Sequence, residues 1–227
     1  MNTAADYFAR DGVAILPAML GREDLSPLEP VFEAVAGGAR QFAIDRTLVR
    51  RLQEHEGLAR TASYLQGEPA RLVRVVAFDK TPEANWFVPW HQDRTIAVTE
   101  RRTVPGYDRW TRKDGCCHVE PPVILLERMV TLRIHFDRCT LDDGPLEVVC
   151  GSHLGGRLDK PRIARLVAAD AGTMCLAERG DIVAMRPLIV HRSQRAKKPT
   201  RRRVLHLEYA AAVLPDGMTW ALAGQAA

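Results

Sequence analysis

A mainly β fold, a sandwich or barrel with a helical buttress, is predicted by two features of the chain. The first 70 residues carry helical spacing around one short extended segment, and the rest breaks into short extended segments separated by Gly, Pro and Asp turns. Helices come first and strands afterwards, with none of the alternation a βαβ fold requires. The 227 residues, 46% of them hydrophobic, suffice for one substantial core and not for two. Residues 1–227 are therefore read as a single domain, largely helical over 1–70 and β over 71–212.

Each element follows from its own pattern. Tyr7 and Phe8 precede DGVAILP, an extended apolar segment. In GREDLSPLEPVFEAVAGG, the residues Leu25, Leu28, Phe32 and Val35 recur at helical spacing, and Gly37 and Gly38 close the stretch. A further helical stretch, Thr47 to Gln66, ends at Gly67. The period then changes to two, and strands are predicted at 71–80, 86–98, 128–137, 144–149, 180–185 and 202–210. Residues 99–122 form the longest irregular piece and are read as a lid loop. In 128–137, Val130, Leu132, Ile134 and Phe136 face one way, and Thr131, Arg133, His135 and Asp137 the other. That polar face fits either solvent or the lining of a polar pocket. In 202–210, Arg202, Val204, His206 and Glu208 share one face, and Arg203, Leu205, Leu207 and Tyr209 the other.

Composition excludes several classes. No apolar run approaches the roughly 18 residues of a membrane span, and the start MNTAADYFARDG lacks the layout of a signal peptide, so a cytoplasmic protein without membrane partners is expected. Five cysteines at irregular spacing, with no CxxC pair, argue against a disulfide framework or a thiolate zinc site. The net charge of +4 invites a nucleic-acid reading, but seven basic residues and no acidic one lie between Arg192 and Arg203. Without that run the chain is mildly acidic, and no recognition helix or RNA-binding signature accompanies it, so no nucleic-acid partner is expected.

The residues that carry chemistry begin with His91 and Asp93. Two apart in an apparent strand, they share a face and can reach one metal ion. His191 follows the extended segment GDIVAMRPLIV and is positioned to join them. Two histidines and one carboxylate on one face of an octahedron leave three positions open, which suits non-haem Fe(II) binding a cosubstrate and dioxygen. The same three ligands also suit catalytic zinc, as in a cupin-type hydrolase or isomerase. His55, His118, His135, His153 and His206 need not be ligands; His55 falls on a helix, and His153 orders the turn after Gly151.

The segments YFARDGVAILP, VPWHQDRTIAV, VTLRIHFDRCTLDDGPLEVVCGSH and GDIVAMRPLIVHRS, followed by RRRVLHLEY, extend over nearly the whole chain. In this order they resemble the phytanoyl-CoA dioxygenase family of Fe(II)- and 2-oxoglutarate-dependent oxygenases. Cys150 stands where the GSH tripeptide is usually preceded by Pro, a departure that touches the turn and not the ligands. The resemblance implies a double-stranded β-helix core (jelly-roll, cupin-like), with His91, Asp93 and His191 as iron ligands. It also implies that Arg202, eleven residues beyond the distal histidine, holds the far carboxylate of 2-oxoglutarate. A planar, permanently charged fork suits that task. Arg201 and Arg203 are one-residue competitors, and strand parity separates them from Arg202. Lys80 and Ser193 match positions that approach the cosubstrate in some members.

Substrate contacts are expected from Gln92, Trp90, Thr95, Arg133 and His135, and from Tyr107 and Trp110 in the lid. With Arg101, Arg102, Arg109 and Arg112 in the same loop, they point to an anionic or ring-bearing small molecule. The implied reaction is hydroxylation of a C–H bond with release of succinate and carbon dioxide. Asp93 favours hydroxylation or desaturation over halogenation, since related halogenases replace the carboxylate with a small residue.

Overall fold

The computed structural model describes residues 3–33, 35, 38–40, 46–113, 115–198, 200–215 and 217–222. Among them the strands are β1 (Val13–Leu16), β2 (Gly38–Arg40), β3 (Arg71–Lys80), β4 (Val88–His91), β5 (Ile96–Val98), β6 (Asp108–Lys113), β7 (Cys116–Glu120), β8 (Met129–His135), β9 (Leu146–Val149), β10 (Thr173–Cys175), β11 (Ile182–Met185), β12 (Val190–Ser193) and β13 (Arg202–Ala210). A six-stranded sheet runs β1-β11-β8-β13-β3-β2, a four-stranded sheet β10-β9-β12-β4, and a three-stranded sheet β5-β7-β6. The named pairings are antiparallel. This is the mainly β, double-stranded β-helix fold expected from the sequence.

The N-terminal helices cover one face of the large sheet. Helix Ala4–Asp11 starts with a Thr3–Asp6 capping box and stops at Gly12, whose φ of 77° needs no Cβ. Its Phe8 joins Leu25, Phe32, Leu52 and Leu58 against Val130, Leu132, Ile134, Leu205, Leu207 and Tyr209. Each large apolar side chain buried there contributes about 1.5–3 kcal/mol. Because the helices take this apolar face, the alternate residues of β8 and β13 are forced inward. Thr131, Arg133 and His135 of that polar face are thus buried in the interior, whereas Asp137, past the end of β8, is partly exposed and pairs with Arg203.

Three expectations are corrected. Residues Arg22–Leu25 form one α-helical turn and Ser26–Phe32 a 3-10 helix. Pro27 and Pro30 lack the amide hydrogens a continuous α-helix needs, although Leu25, Leu28, Phe32 and Val35 are all buried as their spacing predicts. Gly37, expected to close that stretch, lies outside the described residues, and Gly38 opens β2. The stretch 47–66 is two helices, Arg46–Glu54 and Glu56–Gln66, with His55 capping the second through Nδ1 to the Leu58 amide. Residues 99–122 are irregular only in part, since they contain the paired strands β6 and β7.

No helix of the described residues is long and apolar enough to cross a membrane. All five cysteines are free thiols.

Candidate metal centre and its cavity

The sequence folds two strands of the small sheet so that their histidines meet. His91 ends β4 and is the direct cross-strand partner of His191 on β12, with ring centroids 4.1 Å apart. Asp93 lies just past the end of β4, in a segment tied down by its own amide donating to the Pro187 carbonyl at 2.9 Å. Its carboxylate oxygens stand 3.6 Å from His91 Nε2 and 3.7 Å from His191 Nε2. One ligand atom from each of the three lies within 4.8 Å of the others, a spacing that one metal ion can bridge.

The tautomers are set by the backbone. His91 Nδ1 is 2.8 Å from the Pro89 carbonyl and His191 Nδ1 is 2.9 Å from that of Ile189. A carbonyl only accepts, so both Nδ1 atoms carry a proton and both Nε2 atoms are the ones turned to Asp93. Burial pushes His191 down to about 4, which keeps its imidazole neutral. Burial alone would raise the Asp93 carboxyl, but the imidazoles of His191 and His91 outweigh it and hold the acid well below the usual carboxylate range. A pre-oriented pair of imidazole nitrogens beside an ionised oxygen fits a divalent cation.

The centre opens into a cavity of about 250 Å³ whose far wall is the inward face of the large sheet. Cross-strand pairing arranges that wall in rows: Lys80 opposite Arg202, Phe78 opposite Val204, Val76 opposite His206, and Arg74 opposite Glu208. From β8, His135 adjoins Val204 and Arg133 adjoins His206.

One end of the cavity is strongly cationic. Arg202 is buried and donates Nη1 to the Gly144 carbonyl at 2.6 Å. Lys80 is fully buried and donates Nζ to Ser193 Oγ at 3.3 Å and to the Gln194 carbonyl at 2.7 Å. Ser193 in turn donates to the Gly144 carbonyl. Burial, then the facing Arg202, lowers Lys80 to about 7. Arg133 donates to His206 Nδ1 at 3.0 Å and stacks over Phe78. Lys80, Arg133 and Arg202 have no ion pair among the described residues, and the Nε atoms of both arginines are buried without a hydrogen-bond partner.

Arg201 and Arg203 turn the other way, the first to Asp79 at 2.8 Å and the second to Asp137 at 2.7 Å. Most of the basic run is similarly taken up: Arg192 pairs with Glu147, Lys198 with Asp142, and Arg195 donates to the Asn85 carbonyl.

The expected substrate contacts divide. Arg133 lines the cavity, but Gln92, Trp90, Thr95, His135, Tyr107 and Trp110 do not. Gln92 is buried and bonded to Gly156, Leu188 and Leu158, so it fixes the segment between His91 and Asp93. Trp90 lies under the Arg192 guanidinium. His135 is buried behind the arginines. Tyr107 and Trp110 belong to a second apolar core and are bonded to each other. Three of the four arginines of 99–122 are engaged elsewhere: Arg101 stacks on Trp110, Arg102 pairs with Glu100, and Arg109 approaches Glu120, while Arg112 is exposed on β6 and does not line the cavity. His153 does more than order a turn, packing on Gly12 and facing the Ala9 carbonyl at 3.2 Å, which pins the first helix.

Sequence reasoning missed His118, Arg74, Glu208, His206 and Gly144. His206 and Glu208 were within reach, because they share a strand face with Arg202. His118 sits on β7, and the Asp114-Gly115 dipeptide between two short polar segments was the hairpin signal for it.

The comparisons with known proteins agree with this fold. The phytanoyl-CoA dioxygenase sequence family matches residues 10–204. Among solved structures, AviO1 from Streptomyces viridochromogenes Tue57 is 21% identical with a TM-score of 0.68, over 93% of this chain and 95% of that one. SnoN, the non-heme alpha ketoglutarate dependent epimerase from nogalamycin biosynthesis, is 18% identical with a TM-score of 0.65, over 91% and 80%. HygX from Streptomyces hygroscopicus, with nickel and 2-oxoglutarate bound, is 16% identical with a TM-score of 0.64, over 92% and 86%. No curated protein matches the chain.

Proposed function

From the premise that the chain belongs to the phytanoyl-CoA dioxygenase family, we propose that it is an Fe(II)- and 2-oxoglutarate-dependent dioxygenase that hydroxylates a C–H bond of a small molecule. His91, Asp93 and His191 hold the iron. Arg202 clamps the far carboxylate of 2-oxoglutarate, with Lys80 and Ser193 beside it. When bound, iron and 2-oxoglutarate supply the oxidising chemistry, using dioxygen and releasing succinate and carbon dioxide.

The observation that carries this reading is the cationic end of the cavity. Arg133 and Arg202 line it as buried cations with no ion pair among the described residues, and Lys80 stands behind Ser193 as a third basic group; a buried charge left alone costs several kcal/mol. A dicarboxylate that reaches from them to the metal compensates that cost. A hydrolase or isomerase using the same three ligands, of zinc or iron, has no need of such a clamp.

The chain's residues divide the work accordingly. Carbonyl contacts at Nδ1 fix which nitrogen each histidine presents. Gln92 and the Asp93 amide hold the intervening segment still. Gly144 offers one carbonyl to both Arg202 and Ser193, fixing the fork and the hydroxyl relative to each other. Phe78, Val76 and Leu146 exclude water from the space between. Asp93 keeps a protein carboxylate at the metal, which supports hydroxylation over halogenation. Residues 99–122 contribute Lys113 and His118 to the cavity wall, consistent with a covering role.

Anaerobic calorimetric titration with Fe(II) and then 2-oxoglutarate, followed by a succinate-release screen in air, tests the proposal. Metal-dependent binding of 2-oxoglutarate at about one equivalent is expected, with iron-dependent succinate formation. A protein that binds metal but not 2-oxoglutarate would be the hydrolase or isomerase instead.

A further inference from the structure

The end of the cavity opposite the cations belongs to none of the groups assigned above. Its polar atoms come from Arg74, Glu208 and His118, with Lys113 at the rim. On β13, Glu208 lies six residues from Arg202, about 20 Å along the strand, and only two from His206, about 7 Å. The metal-ligating residues His91, Asp93 and His191 line the same cavity as both Arg202 and Glu208. A molecule that shares the cavity with 2-oxoglutarate must place its reacting carbon at the metal and the rest of itself here.

What this end offers is hydrogen-bond acceptors. His118 is 2% exposed, and its Nδ1, held at 3.2 Å from the Cys116 carbonyl, carries the ring proton. Its Nε2 is therefore a lone pair, and it is buried with no partner among the described residues. The arrangement repeats the one that frees Nε2 of His91 and His191, yet His118 is not part of the metal cluster. Burial, then the neighbouring Arg74, disfavours the protonated ring, so the nitrogen stays an acceptor.

Glu208 is the second acceptor. Arg74 Nη1 donates to its Oε1 at 2.7 Å. Because Arg133 can only donate to His206 Nδ1, the His206 proton is on Nε2, 3.5 Å from that same Oε1. The contacts from Arg74 and His206 both fall on Oε1, and the residue lines the cavity.

We propose that this end is the substrate subsite and that it takes a hydroxylated small molecule, whose O–H groups donate to His118 Nε2 and the Glu208 carboxylate. The inference rests on the dioxygenase reading and deepens it. A fatty acyl chain would bury both acceptors against hydrocarbon, and each unmet bond costs on the order of ten- to a hundred-fold in affinity. An ammonium group would also donate, but Arg74 and Lys113 beside His118 oppose its charge. A hydroxyl group meets neither objection. The lining thus differs from the anionic or ring-binding site read from the arginines and aromatics of 99–122, none of which lines the cavity.

The test uses the wild-type protein loaded with Fe(II) and 2-oxoglutarate, with succinate as the readout. The panel comprises methyl glycosides and cyclitols, their fully O-methylated counterparts, primary alkylamines and straight-chain acyl thioesters. Hydroxylated members are expected to raise succinate formation, and O-methylation to lower kcat/KM at least tenfold. His118→Phe, which keeps the ring shape and removes the acceptor, should raise KM for the same compounds at least tenfold. His118→Gln, which restores an acceptor near Nε2, should recover most of it. The proposal is overturned if no hydroxylated member raises succinate, if amines or acyl thioesters do so best, or if O-methylation has no effect. The O-methylation comparison needs no variant and stands even if His118→Phe misfolds. Failure of the wild-type protein to bind 2-oxoglutarate would instead sink the dioxygenase reading, so the two failures are distinct.

Discussion

Replacing His135 by leucine should flatten the acid side of the stability curve. The ring is 1% exposed, and neither nitrogen has a hydrogen-bond partner among the described residues. Burial, then the positive charges of Arg133 and Arg202, push it down to about 3. In the unfolded chain it titrates near 6.5. As pH falls the unfolded state takes up the proton first, so stability that is complete above about pH 6.5 is lost progressively toward pH 3. At pH 5 the loss from this one residue is about 2 kcal/mol, and well below pH 3 it approaches roughly 5 kcal/mol. The pH 5 figure depends almost wholly on the unfolded value, because the folded ring is still neutral there. Urea unfolding of both proteins at pH 8, 7, 6 and 5, with chelator present and ionic strength fixed, measures it. The drop from pH 8 to pH 5 should be smaller in His135→Leu by about 2 kcal/mol. Other buried histidines, His191 and His206 among them, titrate in both proteins and cancel in the comparison. Parallel curves would refute the claim that His135 is buried and neutral.

Three further outcomes are expected. Arg202→Met should weaken 2-oxoglutarate binding to the nickel-loaded protein on the order of ten- to a hundred-fold by calorimetry, whereas Arg201→Met and Arg203→Met, whose guanidiniums are held by Asp79 and Asp137, should change it by less than about twofold; similar losses in all three would place the clamp elsewhere. Asp93→Ala should lower metal occupancy after dialysis at least tenfold, read by elemental analysis, and a fully loaded variant would remove Asp93 from the ligand set. Gly144→Ala combines a φ of +62° with a Cβ 2.3 Å from the Gln194 carbonyl oxygen, so the turn that receives Arg202 and Ser193 must shift. It should lower Tm by several degrees and weaken 2-oxoglutarate binding together, and an unchanged Tm with unchanged binding would show that the turn relaxes freely.

Much of this molecule was legible because strand parity is a local property. Val130, Leu132, Ile134 and Phe136 announce an apolar face in ten residues, and the structure buries every one. Which side of the sheet lies inside is not local. Here the N-terminal helices, more than sixty residues away in sequence, claim the apolar face and leave Arg133 and His135 to point inward. Helix type likewise failed where two prolines removed amide donors from a stretch whose apolar spacing was right. The hairpin from Asp108 to Glu120 was hidden by its composition: β6 is exposed along most of its length and carries charged side chains, so nothing apolar marks it as a strand.

The same parity explains why the charge of the chain is a poor guide to its partners. In Arg201-Arg202-Arg203 three identical side chains have three different fates. Arg201 and Arg203 face away from the cavity and meet Asp79 and Asp137, carboxylates supplied by β3 and by the residues after β8. Arg202, between them, meets Lys80 across the strand pair and a carbonyl below, and is left with a charge that nothing in the described chain neutralises. A slip of one residue in the pairing of β13 with β3 would bury Arg201 and Arg203 beside Lys80, strand Asp79 and Asp137 without partners, and turn Val204 and His206 outward. The acidic partners therefore do more than pair surface charges. By holding the flanking arginines on the outer face, they favour the register in which Arg202, alone of these three, faces the cavity. A positive run that reads as a polyanion-binding surface is, in the fold, mostly tied up in ion pairs, and it turns one of its cations, Arg202, into the cavity.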